Sequence, residues 1–279
     1  MFYRHPTVIL NGRGEFLVVV STAPTPPLKW AGGKRWLVPI VKNLYGKHRD
    51  RRLVEPLCGG LAIAMGLSPT RILANDANEH AMHFYRWLQR GLRVALPMEN
   101  SEAAYYTNRD RFNELVRSGK ARNREASELF YYLNRTGYNG LCRFNRRGEF
   151  NVPFGRYSKI NYREEFSEYR TTFANWEFTT GDFESVLLTP DDFVYADPPY
   201  DVPFTQYSPG GFDWSDQVRL ASLLARHPGP VVLSNQATPR IVSLYESLGY
   251  DLTYLDAPRR ISCTGDRTPA KEVLATRNV

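Results

Sequence analysis

Short apolar runs and amphipathic stretches take turns along most of this chain. Leu53–Leu57, Arg71–Asp76, Trp176–Thr180, Phe193–Ala196 and Val231–Ser234 are too short for helices and have the apolar content of buried strands. Helical spacing governs Leu37, Ile40, Val41 and Leu44, then Leu61–Leu67, Glu79–Gln89, Ser215–His227 and Pro239–Leu248. Tyr250–Ala257 and Glu272–Thr276 read as closing strands. Strands alternating with helices predict an α/β fold on a Rossmann-like sheet.

Two segments break the alternation. Thr7–Leu10 and Phe16–Val20 flank Asn11-Gly12 and read as a β-hairpin, set off by Pro24, Pro26 and Pro27. Further on, Ser101–Gly119 and Arg124–Asn134 are helical in pattern, and from Arg135 to Gly155 glycines, aromatics and arginines interleave. Arg146-Arg147-Gly148-Glu149 has the composition of a hairpin tip. The expected organisation is a hairpin extension over 1–23, a catalytic α/β domain from 24–95 and 171–279, and an inserted, mostly helical domain over 96–170 that carries a β-hairpin.

Charge sharpens the role of the insert. The chain has 279 residues and a formal net charge of +7. From Arg117 to Arg170 there are twelve Lys/Arg, six Glu and no Asp, so nearly all the excess lies there. That permits a polyanionic partner. Arginine can read guanine with two hydrogen bonds, and a bulky ring beside it can wedge into a base stack. The segment from Arg135 to Gly155 is therefore the candidate nucleic-acid reader. Cys58, Cys142 and Cys263 are far apart with no Cys-x-x-Cys pair, and His80 and His83 lack further ligands nearby. Neither a disulfide framework nor a metal site is expected. No apolar run suits a membrane span or a signal peptide, so a cytoplasmic protein is expected.

The candidate chemistry sits at strand ends. Asp197-Pro198-Pro199-Tyr200 ends the run Phe193–Ala196, where open α/β sheets bind ligands. The prolines stiffen the loop. A flat substrate with an amino group suits it: the amine donates to the Asp197 carboxylate and the Pro198 carbonyl while Tyr200 stacks on the ring. An ordinary strand-ending turn has the same composition. Cys58-Gly59-Gly60 is a strand-to-helix turn, but G-x-G-x-x-G is absent, which argues against a nicotinamide cofactor. Asp76 ends the next strand, placed either for ribose hydroxyls or as an N-cap. Gly32-Gly33 before a helix, with Lys34, offers N–H groups and charge to an anionic ligand. Tyr207–Phe212 reads as a mobile cover, and Arg259, Arg260 and Lys271 as a second phosphate-contacting loop.

In order, Lys29-Trp-Ala-Gly-Gly-Lys34, Glu55-Pro-Leu-Cys-Gly-Gly60, Asn75-Asp76, Asn134–Gly155 and Asp197-Pro-Pro-Tyr200 resemble the Dam-type DNA adenine methyltransferases, the α class of amino methyltransferases. The likeness runs from about Pro27 to Arg277. It implies S-adenosyl-L-methionine as methyl donor, no metal, and duplex DNA as partner. It also implies that Asp197, Pro198 and Tyr200 are catalytic and that Trp30, Lys34, Gly59, Gly60, Asp76, Asp182 and Phe183 line the donor pocket. Asp76 would hold the ribose, and Asp182 with Phe183 the adenine of the donor. On the DNA side it implies that Lys29 and Arg143 read guanines of a GATC site, that Tyr138 is a wedge, and that Asn139, Leu141 and Pro153 complete the reading surface. Leu57 and Leu61 depart from the family, where many members carry Phe and a further glycine.

The expected reaction is direct transfer to the exocyclic amine of a flipped adenine. A carbon-methylating enzyme would carry a Pro-Cys nucleophile, and no cysteine here follows a proline. RNA adenine, a cytosine amine or a protein glutamine are the alternative substrates, and a non-catalytic DNA-binding relative is the alternative class. A monomer is expected in solution, with more than one copy able to load on DNA.

Overall fold

Phe193, Val194, Tyr195 and Ala196 are all buried, and the strand they form lies mid-sheet. The computed structural model describes residues 6–10, 16–20, 24–201, 211–257 and 270–279. Strands β1 (Pro6–Leu10) and β2 (Phe16–Val20) pair antiparallel with each other, outside the main sheet. Then follow α1 (Val38–Tyr45), β3 (Leu53–Glu55), α2 (Ala62–Leu67), β4 (Ile72–Asp76) and α3 (Glu79–Gln89). Helices α4 (Glu102–Arg117), α5 (Arg124–Thr136) and α6 (Ser167–Thr172) precede β5 (Trp176–Thr180) and β6 (Phe193–Ala196). The chain closes with α7 (Trp214–Ala225), β7 (Val231–Gln236), α8 (Pro239–Ser247), β8 (Asp251–Ala257) and β9 (Ala270–Arg277).

The main sheet has the order β5-β4-β3-β6-β7-β9-β8, parallel from β5 to β7 and antiparallel where β9 joins β7 and β8. This is the Rossmann-like α/β architecture expected from the alternation. The sheet grows from β3 through β4 to β5, and the chain then returns to place β6 on the other side of β3. That reversal opens a crevice beyond the carboxyl ends of β3 and β6, where ligands bind in such sheets.

Alternating side chains send each strand into two cores. Leu53, Ile72, Ala74, Phe193 and Tyr195 join one apolar cluster; Val54, Leu73, Val194 and Ala196 join the other. The first cluster runs without a break into the inserted helices. Phe84 of α3 stacks on Tyr131 of α5 at 5.4 Å, and Phe166 meets both rings edge-on. The insert is thus welded to the sheet through a shared aromatic core. Its two ends also meet: Arg93 and Glu165 form an antiparallel bridge, and Val94 N–H donates to the Glu164 carbonyl at 2.9 Å.

Helix starts follow local chemistry. Asn78, Ser101, Asn123 and Thr238 each cap a helix by accepting a backbone N–H, and Asp213 with Asp216 forms a capping box on α7. Asp76 is therefore not the N-cap of α3. The expected hairpin at 146–149 is a turn closed by one isolated bridge, Phe144 to Phe150, not a ladder of regular strands. Its pairing is local because Asn145 takes over, its side chain accepting the N–H groups of Arg147 and Glu149. Short α6 was not signalled by the apolar spacing.

His80 is buried against Phe112, Phe130 and Phe144, a packing role. Among the described residues no group of three or more His, Cys, Asp or Glu is placed to hold a metal. Nor is any helix among them long and apolar enough to cross a membrane.

Candidate active site

Burial of β6 fixes where its last residues point. Asp197 leaves the strand into the crevice, and its Oδ1 accepts from Ser234 Oγ at 2.9 Å and lies 3.2 Å from Lys34 Nζ. Ser234, on the adjacent β7, is itself bonded to Tyr195 Oη at 3.0 Å. No hydrogen bond among the described residues reaches Asp197 Oδ2 or the Pro198 carbonyl, whereas the Pro199 carbonyl accepts from Gln217 Nε2 at 2.7 Å. Two acceptors on neighbouring residues of a proline-stiffened loop thus have no hydrogen-bond partner among the described residues.

Lys34 is the electrostatic hub. Its Nζ donates to Tyr200 Oη at 2.7 Å and to Glu272 Oε1 at 2.9 Å, besides its pairing with Asp197. Tyr200 in turn donates to Glu272 Oε1. Lys34 is 2% exposed and Glu272 1%, so these charges are paired out of water. Burial works against the lysine's charge, but Asp197, Tyr200 and Glu272 outweigh it and raise its pKa. Burial raises Asp197 to about 6, opposed by Lys34 and reinforced by Glu272. The lysine does not simply drain Asp197, because it is shared.

Neighbouring strand ends make a second face. Asp76 ends β4; its Oδ2 accepts the Gly59 N–H at 2.8 Å and its Oδ1 the Asn78 N–H at 2.9 Å. The Trp30 side chain lies so close along Gly59 and Gly60 that a Cβ at either would come within 2.6 Å of it. Only glycine fits there. Leu61, next in the turn, has φ +59°, the left-handed conformation that a glycine would adopt freely. Its departure from the family therefore changes the residue without straightening the turn. Asp182 caps a short turn through the Glu184 N–H and pairs with Arg219, whose guanidinium lies over the Phe183 ring. Carboxylates, glycines and aromatic rings at the ends of β3, β4 and β5 thus form a cradle suited to a nucleoside.

A model of the D12 class N6 adenine-specific DNA methyltransferases matches residues 30–261. The chain belongs to that family. Among its relatives, a retron Ec67 DNA adenine methylase from Escherichia coli is 35% identical, covering 89% of this chain and 90% of the relative. DNA adenine methylase from Escherichia coli strain K12 is 34% identical, covering 89% and 93%. A type II methyltransferase, M.MjaIII of Methanocaldococcus jannaschii, is 33% identical, covering 87% and 94%. The protein is an adenine-specific DNA methyltransferase acting on duplex DNA.

On this methyltransferase local bonds and packing link most of the residues expected to read DNA. Tyr138 N–H bonds the Pro153 carbonyl at 2.9 Å, and Leu141 N–H bonds the Tyr138 carbonyl at 3.1 Å. Tyr138, Asn139, Arg143 and Pro153 are exposed and Leu141 is half-buried. Lys29 joins them from the other half of the chain: its side chain packs on Gly140, its Nζ donates to the Arg135 carbonyl at 2.9 Å, and it sits 4.0 Å above the Tyr157 ring. The Arg143 guanidinium lies against Asn151, bonding its Oδ1 at 2.9 Å and its carbonyl at 3.1 Å.

Three expectations need correction or restriction. Gly32 and Gly33 do not open a helix: α1 begins at Val38, and the Gly33 N–H turns back to the Trp30 carbonyl at 3.4 Å. The Lys34 donors are spent within the crevice, so its charge acts on Asp197 and Tyr200. Lys271 pairs with Asp256 at 2.6 Å, while Arg259, Arg260, Cys263 and residues 207–210 of the cover lie outside the described residues. Ser234, Glu272 and Asn134 were missed. Glu272 had one signal, a carboxylate in an otherwise apolar strand.

Proposed function

We propose that the enzyme transfers a methyl group from S-adenosyl-L-methionine to N6 of an adenine flipped out of duplex DNA, within GATC. The observation that carries this reading is the pair of acceptors, Asp197 Oδ2 and the Pro198 carbonyl, unbonded among the described residues, with Lys34 linking Asp197 to Tyr200. An adenine amine has two N–H donors and a lone pair drawn into the ring. Holding both donors lets the nitrogen pyramidalise and aim its lone pair outward. Tyr200 fits the face of the base, which must leave the helix to reach a crevice.

The donor supplies an electrophilic methyl on a positively charged sulfur, whose bond electrons stay with sulfur as the new N–C bond forms. Asp197 meets the positive charge that grows on the amine and takes its proton on Oδ2, returning it to solvent. Trp30, Gly59, Gly60, Asp76, Asp182 and Phe183 are the residues that would hold the donor, because carboxylates, a glycine turn and aromatic rings gather at the ends of β3, β4 and β5. Recognition of GATC is supported by the match of Lys29, Tyr138, Asn139, Leu141, Arg143 and Pro153 to the family's reading positions and by the local bonds and packing that link most of them. We assign residues 96–170 to target recognition and 24–95 with 171–279 to catalysis.

The test is transfer of labelled methyl to duplexes with and without GATC, each unmethylated or already adenine-methylated. Incorporation confined to unmethylated GATC is expected and fixes donor, acceptor and site together. Equal incorporation into duplexes lacking GATC would overturn the site assignment and keep the chemistry. Retained activity in Asp197→Ala would overturn the catalytic assignment.

A further inference from the structure

We propose that Glu272 is a positioning residue for methyl transfer: it shares the Lys34 ammonium with Asp197 and anchors the Tyr200 hydroxyl. This deepens, and rests on, the reading of Asp197 and Tyr200 as the groups that hold the target base.

A glutamate is out of place where Glu272 sits. Its strand neighbours Val273, Leu274 and Ala275 are buried, and it is itself 1% exposed. Its Oε1 takes both Lys34 and Tyr200, while its Oε2 has no partner. A buried carboxylate with one oxygen unsatisfied is a poor way to stabilise a strand. An apolar residue would serve the sheet better, so the carboxylate answers to the crevice.

Charge counting shows how. Lys34 contributes +1, Asp197 −1 and Glu272 −1, so the cluster carries a net −1 in front of the acceptor pair. With a neutral residue at 272 the net charge is zero, and Asp197 faces an ammonium it no longer shares. The amine nitrogen becomes positive during transfer, and a preorganised negative site favours that change. Among the described residues, the other groups facing the cluster do not alter the count. Ser234 and Tyr195 are neutral, and Glu55 on β3 is held protonated at neutral pH, its pKa raised to about 8 chiefly by burial. Lys271, on the same strand, is exposed and paired with Asp256. The second contact has a geometric consequence. Tyr200 is tied at its hydroxyl by Lys34 and Glu272, so the plane on which a base would stack is fixed from β9 as well as from its own loop.

The experiment compares Glu272→Gln and Glu272→Asp with the unaltered enzyme. Single-turnover transfer from saturating S-adenosyl-L-methionine to a GATC duplex is followed across pH, with binding constants and thermal melting measured in parallel. Glu272→Gln keeps the shape and removes the charge. It should slow transfer roughly ten- to a hundredfold while leaving duplex and donor dissociation constants unchanged. It should also move the acidic limb of the rate profile to lower pH, because the negative charge that holds Asp197 up is gone. Glu272→Asp should recover part of the rate. An unchanged rate overturns the proposal. So does a slower rate with an unmoved limb, which would mark Glu272 as structural only. If Asp197→Ala, run alongside, transfers methyl normally, the failure lies in the site reading itself and not in Glu272.

Discussion

The side-chain amide of Asn134 bonds both peptide groups of Lys29: Oδ1 accepts the Lys29 N–H at 2.9 Å, and Nδ2 donates to its carbonyl at 2.8 Å. Lys29 packs on Gly140 in the segment proposed to read DNA and the adjacent Trp30 packs on the glycine turn, so one buried side chain holds the strap on which both depend. Asn134→Ala should cost about 1–3 kcal/mol of stability through two lost bonds. It should weaken donor affinity and relax discrimination between GATC and single-substituted duplexes together. Melting curves, donor titration and competition between duplexes check this; loss of one function alone would refute the shared strap.

Activity should fail on the acid side. In the proposed reaction Asp197 acts as a carboxylate, and burial raises its pKa to about 6. The charged form is present above that value and lost as pH falls through it. The profile of kcat/KM, which reports the free enzyme, should therefore have an acidic limb near pH 6, well above that of an ordinary aspartate.

Glu55 makes a stability prediction of opposite use. Its pKa rises from 4.5 to about 8 because burial disfavours its charge, against a bond from the Ala64 N–H. Between those values the folded protein keeps a proton that the unfolded chain has lost, so stability falls as pH rises through that window. Glu55→Gln removes this dependence. The unfolding free energy, read from denaturant titrations, should gain more at pH 8 than at pH 5, by an amount on the order of a few kcal/mol.

Gly60→Ala should displace Trp30. A Cβ there would come within 2.6 Å of the Trp30 Cβ, and the backbone on both sides is buried or bonded. Donor affinity should fall at least tenfold, about 1.4 kcal/mol, with binding of nonspecific DNA unchanged. Calorimetric titration of the donor measures the first and a salt-dependent DNA assay the second.

Arg143 and Arg147 separate reading from attraction. Arg143→Ala should cost about 1–3 kcal/mol of discrimination at one base pair of the site. Exposed Arg147→Ala should weaken all duplexes alike and lower the salt slope by about one. Affinities for a panel of duplexes at several salt concentrations distinguish the two.

The central strands declared themselves by apolar content, because burial on both faces of a parallel sheet leaves little room for polar residues, while edge strand β5 showed through alternation, with Trp176 and Phe178 buried. β5 and β6 begin and end where Trp176–Thr180 and Phe193–Ala196 did in the sequence. The acid and prolines after β6 were legible for the same reason: burial stops abruptly there. What the sequence hid depends on contacts across long chain separations. Glu272 meets Lys34 238 residues away, and Asn134 meets Lys29 105 residues away. Neither partner has a local spacing to betray it. The helix expected through Leu37, Ile40, Val41 and Leu44 is α1, but it starts at Val38, so Gly32 and Gly33 do not supply its N-terminal N–H groups.

The bridge between Arg93 and Glu165 makes the inserted segment a cassette. Its entry and exit lie one strand spacing apart, about 5 Å, so the segment leaves and rejoins the chain at neighbouring points. The sheet registers no gap. A new module grafted across that bridge would need to reproduce the aromatic contact with α3 and the Asn134 grip on Lys29 to inherit the crevice.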